Sequence, residues 1–102
     1  MKLFDLLQKC TGFEWDAHNA EKNWQKHRVS PSGCEQMFFN RPLTIADDVR
    51  HSKNENRFYA LGHSDGGRRL FVVFTVRNDL IRVISARDMN QKEKKAYQSH
   101  ES

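Results

Sequence analysis

The chain has 102 residues, 37% of them hydrophobic and 29% charged, with a formal net charge of +4. That size suits one domain, residues 1–102, with one modest core and little room for a large substrate cleft. No run approaches the roughly 18 consecutive apolar residues of a membrane helix, and "MKLFDLLQKC" lacks the apolar length and small-residue cleavage site of a secretory leader. The expectation is a soluble cytoplasmic protein without a membrane partner.

In chain order, residues 2–10 read as a short amphipathic helix with Leu3, Leu6, Leu7 and Cys10 on one side, and Gly12 as its stop. "FEWD" leads into a stronger helix, capped by Asp16 and carrying Ala17, Ala20, Trp24 and His27 at helical spacing. Ser30 and Pro31 open another helix that turns Cys34, Met37 and Phe38 inward, and "NRP" ends it. "PLTIAD" is a short strand, followed by the charged loop "DVRHSKNEN". "RFYALGH" and "RRLFVVFTV" flank the turn "SDGG" and read as a hairpin, with the second strand apolar on both faces as in a sheet interior. "RND" turns into a last strand, "LIRVISAR", and from about Met89 the pattern becomes a lysine-rich helix. The expected fold is α+β: a small antiparallel sheet of three to four strands, with N-terminal helices and a C-terminal helix packed on it.

Charge is unevenly distributed. Residues 1–67 hold nine Lys+Arg and nine Asp+Glu, whereas residues 68–102 hold eight and four. A basic C-terminal third suits a polyanion, nucleic acid above all, and equally a solvated face. Arg57, Arg68, Arg69, Arg77, Arg82 and Arg87 all fall in or beside adjoining strands. Strict alternation, with no bulge, sends Arg82 to one face of its strand and Arg87 to the other. Arginine offers a rigid fork of donors to phosphate, and it serves equally as a tie to a helix carboxylate such as Glu93.

Other chemistries have weaker signals. "GHSDG" matches G-x-S-x-G, but it sits in a hairpin turn and not on a strand–turn–helix, so Ser64 reads as a turn residue. The five histidines have no ligand spacing with one another or with Cys10 and Cys34, and no metal is expected. The two cysteines read as reduced thiols. His27 is either a hydrogen-bonded, half-buried histidine or an acid–base group. Glu55 and Arg57 are two apart and can share a strand face as a surface ion pair.

Taken together, "FEWDAHNAEKNWQKHRVS", "RFYALG", "RRLFVVFT" and "IRVISARDMNQKEKKAY" resemble the BrnT family of type II toxin–antitoxin toxins, from Phe13 to Tyr97. The resemblance rests on Trp15, Asp16, Asn23, Lys26 and His27, then on Arg57 to Gly62, then on Arg82, Ile84, Ser85, Ala86, Arg87, Glu93 and Tyr97. Residues 1–12 are an extension to this core of 13–97. The resemblance implies a RelE-like fold and a ribonuclease that cleaves RNA without metal or other cofactor and inhibits translation. It also implies neutralisation by a BrnA-type antitoxin, with DNA bound only through the antitoxin complex. The chain departs from the family pattern at Asn19, Arg28, Pro31, Asn56 and Lys94, and Asn56 removes a carboxylate that could orient Arg57. On this reading the catalytic candidates are Arg57, Arg82, Arg87 and Lys26 for phosphate, with His27 and Glu55 for proton transfer. Arg68, Arg69, Arg77, Ser85, Lys92, Lys94, Lys95 and Tyr97 are the candidate RNA contacts, Tyr97 by stacking on a base or else by packing on the sheet. The alternative is a noncatalytic relative that binds RNA or an antitoxin.

Overall fold

The computed structural model describes residues 3–48 and 55–101. In chain order these form α1 (Leu3–Gln8), β1 (Gly12–Glu14), α2 (Ala17–His27), α3 (Pro31–Phe39), β2 (Thr44–Asp47), β3 (Phe58–His63), β4 (Arg69–Arg77), β5 (Leu80–Asp88) and α4 (Gln91–Glu101). Most of the charged loop expected after β2 falls on residues 49–54, outside the described residues.

The sheet has five strands in the order β1-β5-β4-β3-β2, and this corrects the expected three to four. β2 to β5 are antiparallel neighbours, but β1 runs parallel to β5, so the sheet is mixed. β1 has no local signal in the sequence, for a physical reason. Three residues offer no alternation to recognise, and its partner, from Gly12↔Leu80 to Glu14↔Arg82, lies far along the chain.

One face of the sheet carries the main core. Phe58, Ala60, Leu70, Val72, Phe74, Ile81, Val83 and Ala86 pack against Val29, Cys34, Met37 and Phe38, each large side chain contributing about 1.5–3 kcal/mol by burial. Phe38 meets Phe74 edge-on at 5.2 Å between ring centroids. Gly62 lets α3 approach β3, because a Cβ there would lie 3.3 Å from Leu43 and from Met37. Leu6, Leu7 and Cys10 pack against this core, as their spacing predicted.

The caps of α2 and α3 follow the sequence. Asp16 Oδ1 accepts from the amides of His18 at 2.8 Å and Asn19 at 3.2 Å, and Ser30 Oγ accepts from that of Gly33 at 3.0 Å. The inward stripe of α2 differs from expectation. Trp24 is 47% exposed and Asn23 is buried in its place. α2 lies along the sheet edge beside β5, where its useful contact is polar: Asn23 Oδ1 accepts from the Ala86 amide at 3.3 Å, on the side away from β4. Trp24 is covered by Arg28, whose Cζ stands 5.4 Å from the ring centroid.

A bulge overturns the predicted alternation of β5. Val73 pairs with Ser85 but Phe74 pairs with Val83, so Ile84 is an extra residue in the strand. The core-facing residues are therefore Ile81 and Val83 before the bulge and Ala86 after it. Arg82 pairs across from Thr75 and Arg87 from Phe71, which puts both arginines on the face opposite α3.

Candidate functional site

This second face is built from Tyr59, Leu61 and His63 on β3, Arg69, Phe71, Val73, Thr75 and Arg77 on β4, and Arg82, Ser85 and Arg87 on β5. α4 covers part of it. Tyr97 has no exposed surface and packs with Leu61, Met89 and the half-buried Phe71. Its hydroxyl donates to the Pro42 carbonyl at 2.6 Å, so it accepts from His63 Nδ1 at 2.8 Å, and Nδ1 is the protonated ring nitrogen. Of the two expectations for Tyr97, packing on the sheet is realised and its ring has no face left for a base.

At the β1 end, Arg82 donates to Asp16 Oδ2 at 3.1 Å and reaches Glu14 at 3.4 Å, joining β5 to the start of α2. Arg77 holds Glu55 in a two-pronged pair at 2.7 and 2.8 Å. The hydrogen bond from Arg77 holds the Glu55 carboxyl below its ordinary range, with the charges of Arg77, Arg82 and Arg57 adding to it. Glu55 is thereby a weakened base. Asp16 is also held low, first by the helix amide of Asn19 and further by the amide of His18 and the charge of Arg82.

At the α4 end, Arg87 donates to both oxygens of Glu93 at 2.8 and 2.9 Å. Its guanidinium carbon lies 4.2 Å from the centre of the Phe71 ring. Phe71 in turn stacks on Tyr59 at 5.6 Å with 25° between the planes. Glu93 closes a capping box for α4: its Oε1 accepts from the Asn90 amide at 2.9 Å while Asn90 Oδ1 accepts from the Glu93 amide at 2.8 Å. The hydrogen bond from Arg87 leads the causes that hold the Glu93 carboxyl below its ordinary range. A groove of about 320 Å³ opens here, lined by Tyr59, Leu61, Phe71, Asn90, Lys92, Glu93 and Ala96. Arg69, farther along β4, is paired with Glu101 at 2.8 Å.

The remaining candidates lie elsewhere. Arg68 binds Asp88 at 2.6 and 3.1 Å and the carbonyls of Arg28 and His27 at 2.6 and 2.7 Å. It clamps the last turn of α2 to the end of β5, and little of its fork is left for an external phosphate. Lys26 lies on the exposed side of α2 with His18, Glu21, Lys22 and Gln25, and His27 ends that helix. No contact among the described residues joins either to Arg82 or Arg87. Ser85 is half-buried on the open face, between the two arginines along β5. Lys95 is exposed on α4, and the charge of Lys94 reaches Asp88. Arg57 stands just before β3, where its backbone carbonyl accepts from the Asp48 amide at 2.8 Å.

Ser64 sits in the β3–β4 turn and its Oγ accepts from the Arg68 amide at 3.2 Å, as a turn residue should. Both cysteines are free, and burial pushes the Cys34 thiol up to about 12. Among the described residues no three His, Cys, Asp or Glu side chains are grouped to hold a metal ion. Sequence reasoning missed Tyr59 and Phe71 as site residues. Their signal was present in the alternation of β3, but β4, apolar on both faces, read as interior, and Tyr59 had no readable partner across the strands.

A family model described as the ribonuclease toxin BrnT of type II toxin–antitoxin systems matches residues 15–93. The crystal structure of the Brucella abortus ribonuclease toxin, BrnT, matches with a TM-score of 0.59 and 22% sequence identity, over 78% of this chain and 97% of that one. No curated protein matches the sequence.

Proposed function

The chain belongs to the BrnT family of type II toxin–antitoxin ribonuclease toxins, and from that premise we propose that it is an endoribonuclease that cleaves RNA without a metal cofactor and thereby inhibits translation. The observation that carries this reading is the single face shared by Arg82 and Arg87. Two guanidinium forks on one surface can hold separate phosphates of one strand. In the proposed reaction the substrate's 2′ oxygen attacks the adjacent phosphorus and the bond to the 5′ oxygen breaks, leaving a 2′,3′-cyclic phosphate. One group accepts the 2′-OH proton and another protonates the departing oxygen.

Arg87, Arg82 and Arg57 are the proposed phosphate contacts and stabilisers of charge building on phosphorus. Glu55, within the field of Arg57, Arg77 and Arg82, is the proton acceptor best supported by position, although its pairing weakens it as a base. Lys26 and His27 would act only on RNA that crosses the sheet edge. Arg69, Arg77, Ser85, Lys92, Lys94 and Lys95 supply general attraction, and Arg68 has the most structural of the proposed roles. The RelE-like assignment of the fold belongs to the same proposal, supported by the β2–β5 meander and the helix across its open face. So do the single toxin domain over 1–102, a cytoplasmic location, and a BrnA-type antitoxin as the partner through which DNA is bound. Among the described residues no helix is long and apolar enough to cross a membrane.

A second reading, a noncatalytic binder of RNA or antitoxin, has one specific observation in its favour. Arg68, Arg69, Arg77, Arg82 and Arg87 each already face a carboxylate, and Asn56 stands where the family pattern has an acid. Incubating the purified chain with RNA in EDTA separates the two. Cyclic-phosphate ends are expected. An absence of cleavage at every protein concentration, with Arg87→Ala as toxic to cells as the wild type, overturns the ribonuclease reading.

A further inference from the structure

We propose that the groove between the open sheet face and the start of α4 is a stacking subsite for one unpaired base of RNA, with Tyr59 as its platform and Phe71 backing it. The identity of the polymer rests on the ribonuclease-toxin reading. The subsite itself rests on the geometry.

Three planar groups lie in a row across adjoining strands: the Arg87 guanidinium, the Phe71 ring and the Tyr59 ring. Aromatic rings displayed on a sheet, with arginine beside them, are a recurrent way to hold single-stranded bases. α4 turns this row into a concavity, with Ala96 leaving space above the rings and Asn90 and Glu93 offering polar atoms to a base edge. Its volume, about 320 Å³, is at the small end of ligand pockets. The setting suits a polyanion: Arg87 and Lys92 flank the rings, and Lys95 is exposed on the same helix. Another groove, of about 330 Å³ between α1, β1 and α3, makes a contrast. Leu7, Cys10, Phe13, Phe38, Phe39 and Ile81 line it with Arg41 as the one charged residue among the described lining, and its described ring pairs, Phe13 with Phe38 and with Phe39, meet edge-on rather than stacked. A base seated on Tyr59 would bring its own phosphate toward Arg87, so the subsite would position the strand for the cationic end of the face.

The test uses the full chain and two probes that cannot be cleaved. One is a 2′-O-methyl RNA hexamer and the other is a hexamer whose bases are replaced by abasic tetrahydrofuran units. Wild type is expected to bind the base-bearing probe roughly tenfold tighter or more. Tyr59→Leu keeps an apolar cover without the flat ring, and Ala96→Trp plugs the groove without touching the platform. Both should erase most of that preference and leave binding of the abasic probe within about twofold of wild type. Circular dichroism and melting check that each variant is folded. The proposal is overturned if wild type has no base preference, if both folded variants keep it, or if they weaken antitoxin binding while oligonucleotide binding is unchanged. Cleavage of unmodified RNA is read separately. A chain that shows the base preference but cuts nothing supports the subsite and removes the ribonuclease reading. A chain that cuts RNA with no base preference removes the subsite alone.

Discussion

At the β1 end of the open face, Arg82 is approached by two carboxylates, Glu14 and Asp16, from elements that lie far away in sequence. At the α4 end, Arg87 meets one carboxylate, Glu93, and one aromatic ring, Phe71. The first arrangement fastens a strand to the start of a helix. The second leaves a guanidinium beside a concavity. The difference shows how one residue type on one strand can be divided between holding a fold together and presenting charge. A paired arginine need not be a spent one. Ion pairs with partial solvent exposure contribute little net stability. A phosphate has the same fork geometry as the carboxylate it would replace.

The two ends are expected to differ most in catalysis. Arg87→Ala is expected to lower RNA cleavage by about 10²–10³-fold, the cost of removing one well-placed stabiliser of developing charge. Arg87→Lys should recover little, because an ammonium cannot reproduce the two-pronged contact. Cleavage rates in EDTA measure both. If Arg82→Ala is the inactive variant and Arg87→Ala cuts normally, the reaction belongs to the β1 end.

Stability comes next. Glu93→Gln is expected to lower the unfolding free energy by about 1 kcal/mol, with allowance for solvent screening, and urea titration measures it. The pH dependence has a definite sign. The folded-state pKa of Glu93 is depressed, so its stabilisation is complete at neutral pH and is lost as pH falls through the unfolded glutamate value of about 4.3 toward the folded one. The gap in stability between wild type and Glu93→Gln should therefore be constant above about pH 5 and shrink below it.

A smaller effect is expected at the other end. Arg82→Met should lower the melting temperature by a few degrees and speed hydrogen exchange at the His18 and Asn19 amides, which Asp16 caps. Exchange unchanged at those two amides would mean that the pair does not hold the junction. The smallest effects belong to the lysines. Lys92→Gln and Lys95→Gln should each weaken oligonucleotide binding uniformly across sequences and reduce the salt slope by about 0.7. A sequence-dependent loss at Lys92 would move it from general attraction into the groove.

Much of this was legible beforehand. Ser30 and Pro31 marked the start of α3, "NRP" its end, and Cys34, Met37 and Phe38 its inner face. The turn "SDGG" separated β3 from β4, and the family motifs brought Arg82, Arg87 and Glu93 forward together. The rest depended on contacts that local patterns do not carry. β1 exists because β5 pairs with it. Asn23 is buried because a sheet edge needed an acceptor, and Trp24 lies outside for the same reason. Glu14 and Asp16 had no sequence proximity to Arg82 that could reveal them as its partners. Tyr59 and Phe71 resembled core residues because a half-covered sheet face and a fully covered one produce similar apolar strands.

The extra residue at Ile84 gives the site an unusual arithmetic. Side chains along a strand alternate between two sides, so their assignment is a matter of odd and even. One inserted residue reverses that parity for everything beyond it. Arg82 and Arg87, separated by an odd number of positions, come to stand together only because of it. No substitution along the strand can undo this, whereas shortening the chain by a single amino acid between them would turn one of the pair inward. The site is thus tolerant of spelling and sensitive to counting.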